Sequence, residues 1–396
     1  MCLTKNDIET LDDAQRIVNE ASFDQNWLVY GPAGTGKTII ALNRVERMHR
    51  MRPEDLTVYV SKSKVLGRWV EQAATDLGIR ENIKTFDRFF WNFIGGIIGR
   101  EPFKLVEGPS WSEIDWERTL PLLKTAYESN PELSKINLVL DEAQDLHLGF
   151  FSACKLMCRS VFVVMDENQK TGVWADSSRI EISRVLGIDK AHQRLLNVNY
   201  RNPKEIKDLS EYFYEGDKSE LAKIAPIELR RNLEAPPTIR WLPFSDQAVS
   251  IDQVRRIIQY CCDRPTVTVC VVTPDKDSVN RVMQVIKESS GNEARINQRK
   301  DWSVRGYISQ KFIRVDLDMC SPGVIVSNSI NFKGSEYDAV FMVDWENSDE
   351  SNASMYTAIT RARGRIEVLA GTSEAAREKI RNIFEAALND QLISED

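Results

Sequence analysis

Two α/β domains, each a parallel β-sheet flanked by helices, are what the patterning of this chain predicts. Short β-branched runs alternate with helical spacing, from Trp27–Tyr30 to a last helix over Glu374–Leu388. Acidic residues also stand where runs stop: Asp141 and Glu142 after Ile136–Leu140, Asp166 after Val161–Met165. Carboxylates at strand ends fit an open parallel sheet that receives ligands at its carboxyl edge. The first domain is assigned to 1–197, with a small irregular insertion at about 88–135, and the second to 198–396.

Taken in order, Ile8, Leu11, Ala14, Ile17 and Val18 have helical spacing, with Thr10 and Asp12 as candidate caps. Trp27–Tyr30 is an apolar strand that breaks at Gly31, and helical spacing resumes from Lys37. Between them, Gly31-Pro-Ala-Gly-Thr-Gly-Lys-Thr38 is G-x-x-x-x-G-K-T in the strand–loop–helix setting the pattern requires. Gly31, Gly34 and Gly36 let the backbone turn its N–H groups toward a polyphosphate, and the helix start supports the same anion. Lys37 would reach the β- and γ-phosphates of ATP, and Thr38 would offer its hydroxyl to Mg²⁺. Gln15 is either a surface glutamine or an amide that reads the adenine edge.

Leu56–Ser61 is a second strand, followed by a helix from about Lys64 to Leu77. Ile83–Phe93 is dense in aromatics, and a proline-containing stretch follows with one better helix near Glu117–Ser129. Asp141 at its strand end would hold Mg²⁺, and Glu142 would orient or deprotonate an attacking water. In the second domain, strands are expected at Thr238–Leu242, Thr266–Val272, Gly323–Ser327, Asp338–Val343 and Arg365–Leu369. Helices are expected after Pro203 and over Ala248–Cys262, Asp275–Ser289, about Ala353–Arg361 and Glu374–Leu388. Residues 290–312 are basic, and Ser394–Asp396 reads as a loose tail. Arg201 and Arg361 could bring positive charge to the γ-phosphate, so that ATP closes a cleft between domains and hydrolysis reopens it.

A net charge of −7 argues against a surface that coats duplex DNA and leaves room for weak, salt-sensitive binding in a local groove. The apolar runs are strand-sized, short of the ~20 residues a membrane span needs. Seven cysteines and three histidines without metal-site spacing predict no structural zinc and a reduced, cytoplasmic setting.

Gln15, Gly31–Thr38, Val58–Lys64, Thr85-Phe86, Asp141–Gln144, Asp166–Gln169, Tyr200-Arg201, Lys333–Tyr337 and Thr360–Arg363 follow one another as motifs do in a known family. In them the chain resembles a superfamily 1 helicase of the UvrD/Rep/PcrA type. The resemblance implies two RecA-like P-loop NTPase domains, ATP and Mg²⁺ as cofactors, and 3′ to 5′ movement on single-stranded DNA. It implies that Gln15 reads adenine, Glu336 touches the ribose, and Gln169 couples the γ-phosphate to the strand. Arg201 and Arg361 would act as arginine fingers beside Lys37 and Glu142. Thr85 and Phe86 would contact the strand, Trp174 would insert between bases, and Lys62 and Lys64 would meet phosphates or solvent.

Three departures shape the expectation. Met165 stands where the family has glycine, and Asn328 and Ile330 where it has threonine and histidine. Residues 87–140 and 202–332 leave space for a rudimentary first insertion and no large second one. A stripped motor is expected, for which translocation is implied and autonomous unwinding is not. Two other readings stand beside it: a nucleotide-gated regulatory ATPase subunit controlling a nuclease or effector partner in genome defence, and an RNA-directed motor.

Overall fold

In the computed structural model the described residues are 11–99, 106–107, 112–130, 133, 135–170, 177–226, 232–243, 250–288, 303–306, 322–348 and 351–396. They form two compact units. One runs to Gly31 and resumes over Gly36–Leu196, and the other joins Pro32–Thr35 to Asn197–Asp396. Each is built on a parallel sheet flanked by helices, the RecA-like two-domain architecture of P-loop NTPases.

The first unit contains β1 (Trp27–Tyr30), β2 (Thr57–Ser61), β3 (Ile83–Thr85), β4 (Ile136–Asp141), β5 (Cys158–Met165) and β6 (Gln193–Leu195). They lie in the order β3-β2-β4-β5-β1-β6, and every pairing is parallel. Strands covered on both faces need apolar side chains on both, and β2 and β4 are buried at every position. The helices are α1 (Asp13–Glu20), α2 (Lys37–Met51), α3 (Lys64–Asp76), α4 (Trp116–Ser129), α5 (Leu148–Met157) and α6 (Arg179–Leu186).

A capping box starts α1. The Asp12 carboxylate accepts the Gln15 N–H at 2.7 Å, and Gln15 Oε1 accepts the Asp12 N–H at 3.1 Å. The aromatic run after β3 turns inward. Phe86, Phe89 and Phe90 pack with Trp116 of α4 and Phe150 of α5, so the insertion shares the core of the sheet. Gly149 makes that approach possible, because a Cβ there would lie 2.2 Å from Trp116 Cγ.

The second unit contains β7 (Thr238–Leu242), β8 (Thr268–Thr273), β9 (Ser303–Gly306), β10 (Gly323–Asn328), β11 (Tyr337–Val343), β12 (Ala362–Gly371) and β13 (Ser394–Glu395). Their order is β9-β10-β8-β11-β12-β7-β13, again with parallel pairing throughout. Around them lie α7 (Lys204–Glu211), α8 (Ile251–Asp263), α9 (Lys276–Glu288), α10 (Asn352–Ile359) and α11 (Glu374–Asn389). Val269, Val271, Val324, Val326 and Phe341 form the centre of its core.

The end of the chain corrects the expectation of a loose tail. Ser394–Glu395 adds to the sheet edge beside β7, Arg381 holds Glu395 through two bonds of 2.6 and 2.7 Å, and Arg240 holds Asp396. Backbone pairing and ion pairs anchor a segment that has no apolar periodicity to announce it.

A second ionic cluster sits under this edge. Glu367 of β12 is nearly inaccessible and accepts from Arg256 at 2.9 and 2.6 Å, from Arg240 at 3.0 Å, and from Arg365. Burial acts to raise its carboxyl, but the hydrogen bonds and charges of Arg256 and Arg365 outweigh burial and hold it below the ordinary glutamate range. Glu367→Gln is expected to cost about 3 kcal/mol at neutral pH, because it leaves clustered guanidinium groups uncompensated. A carboxylate with a depressed folded pKa contributes stability above its unfolded value and loses it as pH falls through the folded value. The gap in urea midpoint between wild type and variant should therefore be full at neutral pH and close in acid.

Among the described residues no helix is long and apolar enough to cross a membrane.

Candidate nucleotide site

The loop leaving β1 is shaped by its glycines. Gly34 and Gly36 have φ of 80° and 82°, a left-handed conformation that L side chains avoid. Space is closed there too. A Cβ on Gly36 would lie 2.5 Å from Gln15 Nε2, and one on Gly34 would lie 2.4 Å from Asn199 Oδ1. Gln15, buried and fixed by its capping box, thus stands against the turn that opens α2.

Lys37 is the first residue of α2 and is 8% exposed. Its ammonium folds back over the loop, donating to the Gly31 carbonyl at 2.8 Å and lying 3.8 Å from Asp166 Oδ2.

Behind the loop, β4 ends on Asp141. The Tyr59 hydroxyl from β2 donates to Asp141 Oδ2 at 2.7 Å, and the Glu142 N–H donates to Oδ1 at 2.9 Å. The Thr38 hydroxyl also hydrogen-bonds this carboxylate. Burial, then the neighbouring Glu142 charge, pushes Asp141 up to about 6 against those bonds. Burial likewise pushes the Tyr59 hydroxyl well above its ordinary range, so it stays a donor. Glu142 has φ of 53°, unusual for a residue with a Cβ and a kind of strain that concentrates at functional sites.

Gln144 links the two acidic ends. Its Nε2 donates to Glu142 Oε2 at 2.5 Å, and its Oε1 accepts the Asp166 N–H at 3.1 Å. Gln169 Nε2 donates to Asp166 Oδ2 at 2.7 Å. Burial raises Asp166, and the Lys37 charge and the Gln169 bond pull it back. Thr38, Asp141, Glu142, Gln144, Asp166, Gln169 and Lys37 therefore form one connected network at the carboxyl ends of β1, β4 and β5.

Asp141 and Glu142 are adjacent, buried, and within ion-pair distance of no lysine or arginine among the described residues. That imbalance fits a divalent cation. The Thr38 hydroxyl and Asp141 carboxylate are the hard oxygen donors Mg²⁺ prefers, and Mg²⁺ keeps most of its waters. Among the described residues no larger cluster of His, Cys, Asp or Glu could hold a metal.

In the second unit, Arg201 Nε donates to Glu336 Oε2 at 2.8 Å, and Arg363 lies 3.5 Å from the other carboxylate oxygen. The crest of the glycine loop belongs to this unit. The Tyr200 N–H donates to the Gly34 carbonyl, and the Ala33 N–H to the Tyr356 hydroxyl, both at 2.9 Å. A Cβ on Gly34 would lie 3.1 Å from Arg201 Cβ, so Arg201 starts beside the loop. Arg361 differs: it is fully buried, donating to the carbonyls of Thr357 at 2.9 Å and Ser335 at 3.2 Å and to the Thr360 hydroxyl at 3.0 Å. Its guanidinium is turned into its own unit.

Thr85, Phe86 and Lys62, named for strand contact, come together where β2 ends beside β3. Thr85 ends β3 and starts the next turn without a side-chain cap. Phe86 is 5% exposed, meets Phe150 edge-on at 5.0 Å, and carries the Lys62 ammonium 4.5 Å over its ring. It thus offers no open face for a base, because the aromatic spacing that marks it also fits the core. Lys62 in the β2–α3 turn and Lys64 at the start of α3 are partly exposed, and burial lowers the Lys62 amine. Trp174 lies outside the described residues. Tyr59 is a site residue that sequence reasoning missed, and Gln144 is one to which it gave no role. The Tyr59 contact crosses from β2 to β4, and no local spacing signals it.

Residues 14–175 match the model of a family described as an AAA domain. The matched stretch contains Gln15, the glycine loop and the whole hydrogen-bonded network, which supports an NTP-hydrolysing enzyme in general. No curated protein matches the chain. Among solved structures, the C-terminal domain of a possible DNA helicase from Lactobacillus plantarum WCFS1 is similar at 18% identity and a TM-score of 0.31. The match covers 50% of this chain and 98% of that one, a likeness too weak to carry an argument.

Proposed function

We propose that this protein is an ATP-driven motor of superfamily 1 that moves 3′ to 5′ along single-stranded DNA. The observation that supports this reading best is the unbroken network joining Lys37, Asp141, Glu142, Gln144, Asp166 and Gln169 behind the glycine loop. Glu142 would accept the proton of the attacking water. Lys37 would leave the Gly31 carbonyl for the β- and γ-phosphates. Thr38 and Asp141 would hold Mg²⁺, which neutralises phosphate charge when bound. Gln144 and Gln169 would couple the state of the γ-phosphate to the strand. Gln15 would read adenine, and Glu336 the ribose. Arg201, freed from Glu336, would reach the γ-phosphate from the second unit. Arg361 would have to give up its internal carbonyls to do the same. ATP would then draw the two units together and hydrolysis would let them part.

The test is ATPase rate against matched single-stranded DNA, duplex DNA and RNA at one salt concentration. Single-stranded DNA should raise turnover severalfold and more than either alternative. Equal rates with and without it would contradict a DNA motor, and a larger response to RNA would reassign the substrate.

A second reading has one observation in its favour. With Phe86 packed in the core, the aromatic surface the motor reading looks for at that position is lacking. An ATPase without strand contacts would instead serve as a nucleotide-gated regulatory subunit for a nuclease or effector partner. ATP turnover unaffected by any nucleic acid, with nucleotide-dependent binding of such a partner, would establish it.

A further inference from the structure

We propose that Tyr59 is a positioning residue: its hydroxyl fixes the Asp141 carboxylate in the rotamer that receives the metal of a Mg²⁺–nucleotide complex. The inference rests on the assignment of Thr38 and Asp141 to that metal.

Tyr59 on β2 lies opposite Val139 on β4, and Asp141 is two residues further along the same face. Diagonal neighbours of this kind meet only when one side chain is long. A serine or threonine at position 59 would fall short of the carboxylate, whereas a phenol spans the gap and places its hydroxyl 2.7 Å from Oδ2. With the Glu142 N–H on Oδ1, one donor holds each carboxylate oxygen. The acid therefore cannot rotate freely, and its remaining lone pairs serve Thr38 and a cation. Tyr59 is fully inaccessible, so it touches neither nucleotide nor water and acts through Asp141 alone.

A tyrosine that merely satisfies its own buried hydroxyl would have the same geometry, and metal affinity separates the two roles. Mn²⁺ binding, read from the free-ion EPR signal with ATPγS present, should weaken about tenfold in Tyr59→Phe, as loss of a bond that orients a metal ligand does elsewhere. Nucleotide affinity without metal should stay unchanged. Adding Tyr59→Phe to Asp141→Asn should produce no further loss. Unchanged Mn²⁺ affinity in a folded Tyr59→Phe protein overturns the positioning role. Unchanged Mn²⁺ affinity in Asp141→Asn instead overturns the metal assignment beneath it. Should Tyr59→Phe fail to fold, 3-fluorotyrosine at position 59 keeps the shape. Its ¹⁹F line should then shift when Mg²⁺ is added to the ATPγS complex, and a line that does not move overturns the proposal.

Discussion

Glu142→Gln is expected to lower ATP turnover by about 10²–10⁴-fold, the range general-base catalysis contributes, while ATP still binds. The substitution keeps shape and removes basicity. Glutamine at 142 can present its amide oxygen to Gln144 Nε2, so the 2.5 Å bond has a replacement acceptor. The strained backbone at φ 53° is unchanged, since both side chains share the same Cβ geometry. Steady-state phosphate release should collapse, while fluorescent ATP should titrate with nearly wild-type affinity. Turnover within tenfold of wild type would move the base elsewhere.

Lys37→Ala should act differently, losing binding and turnover together. Its ammonium is poised on the Gly31 carbonyl of the glycine turn and beside Asp166. Removing one preorganised charge donor of this kind costs about 10²–10³-fold in turnover. A second consequence follows from burial. Asp166 loses the positive charge that offsets its desolvation, so the nucleotide-free variant should also melt at a lower temperature than wild type. Calorimetric titration with ATP and a thermal scan together check both effects. A variant that binds ATP like wild type would remove Lys37 from the site.

What could be read in advance was whatever local spacing encodes. The strand–glycine–helix run at Gly31–Thr38 and the acids closing Ile136–Leu140 depend on neighbours in sequence, and the structure brings them together as one network. The Asp12–Gln15 box is equally local, and it fixes α1 where the helical spacing placed it. Other features depend on distant partners. Ile83–Thr85 is too short for a periodic signal, yet it pairs along β2. Phe86 follows a pattern that a core and a stacking surface share, and packing against Phe150 decides between them. Ser394–Glu395 is polar and terminal, and only Arg381 and the β7 edge explain its order. Arg361 carries a motif whose side chain here spends its hydrogen bonds on Thr357 and Ser335.

The most direct measurement is a crystal structure with Mg²⁺, ADP and aluminium fluoride, which mimics the phosphate in transfer. The mimic is expected in the Gly31–Thr38 loop, with Lys37 released from the Gly31 carbonyl and a water held between Glu142 and the fluoride. Arg201 should have left Glu336 to contact the same fluoride. A complex in which the nucleotide sits in that loop while Lys37 and Arg201 keep their present partners would contradict it.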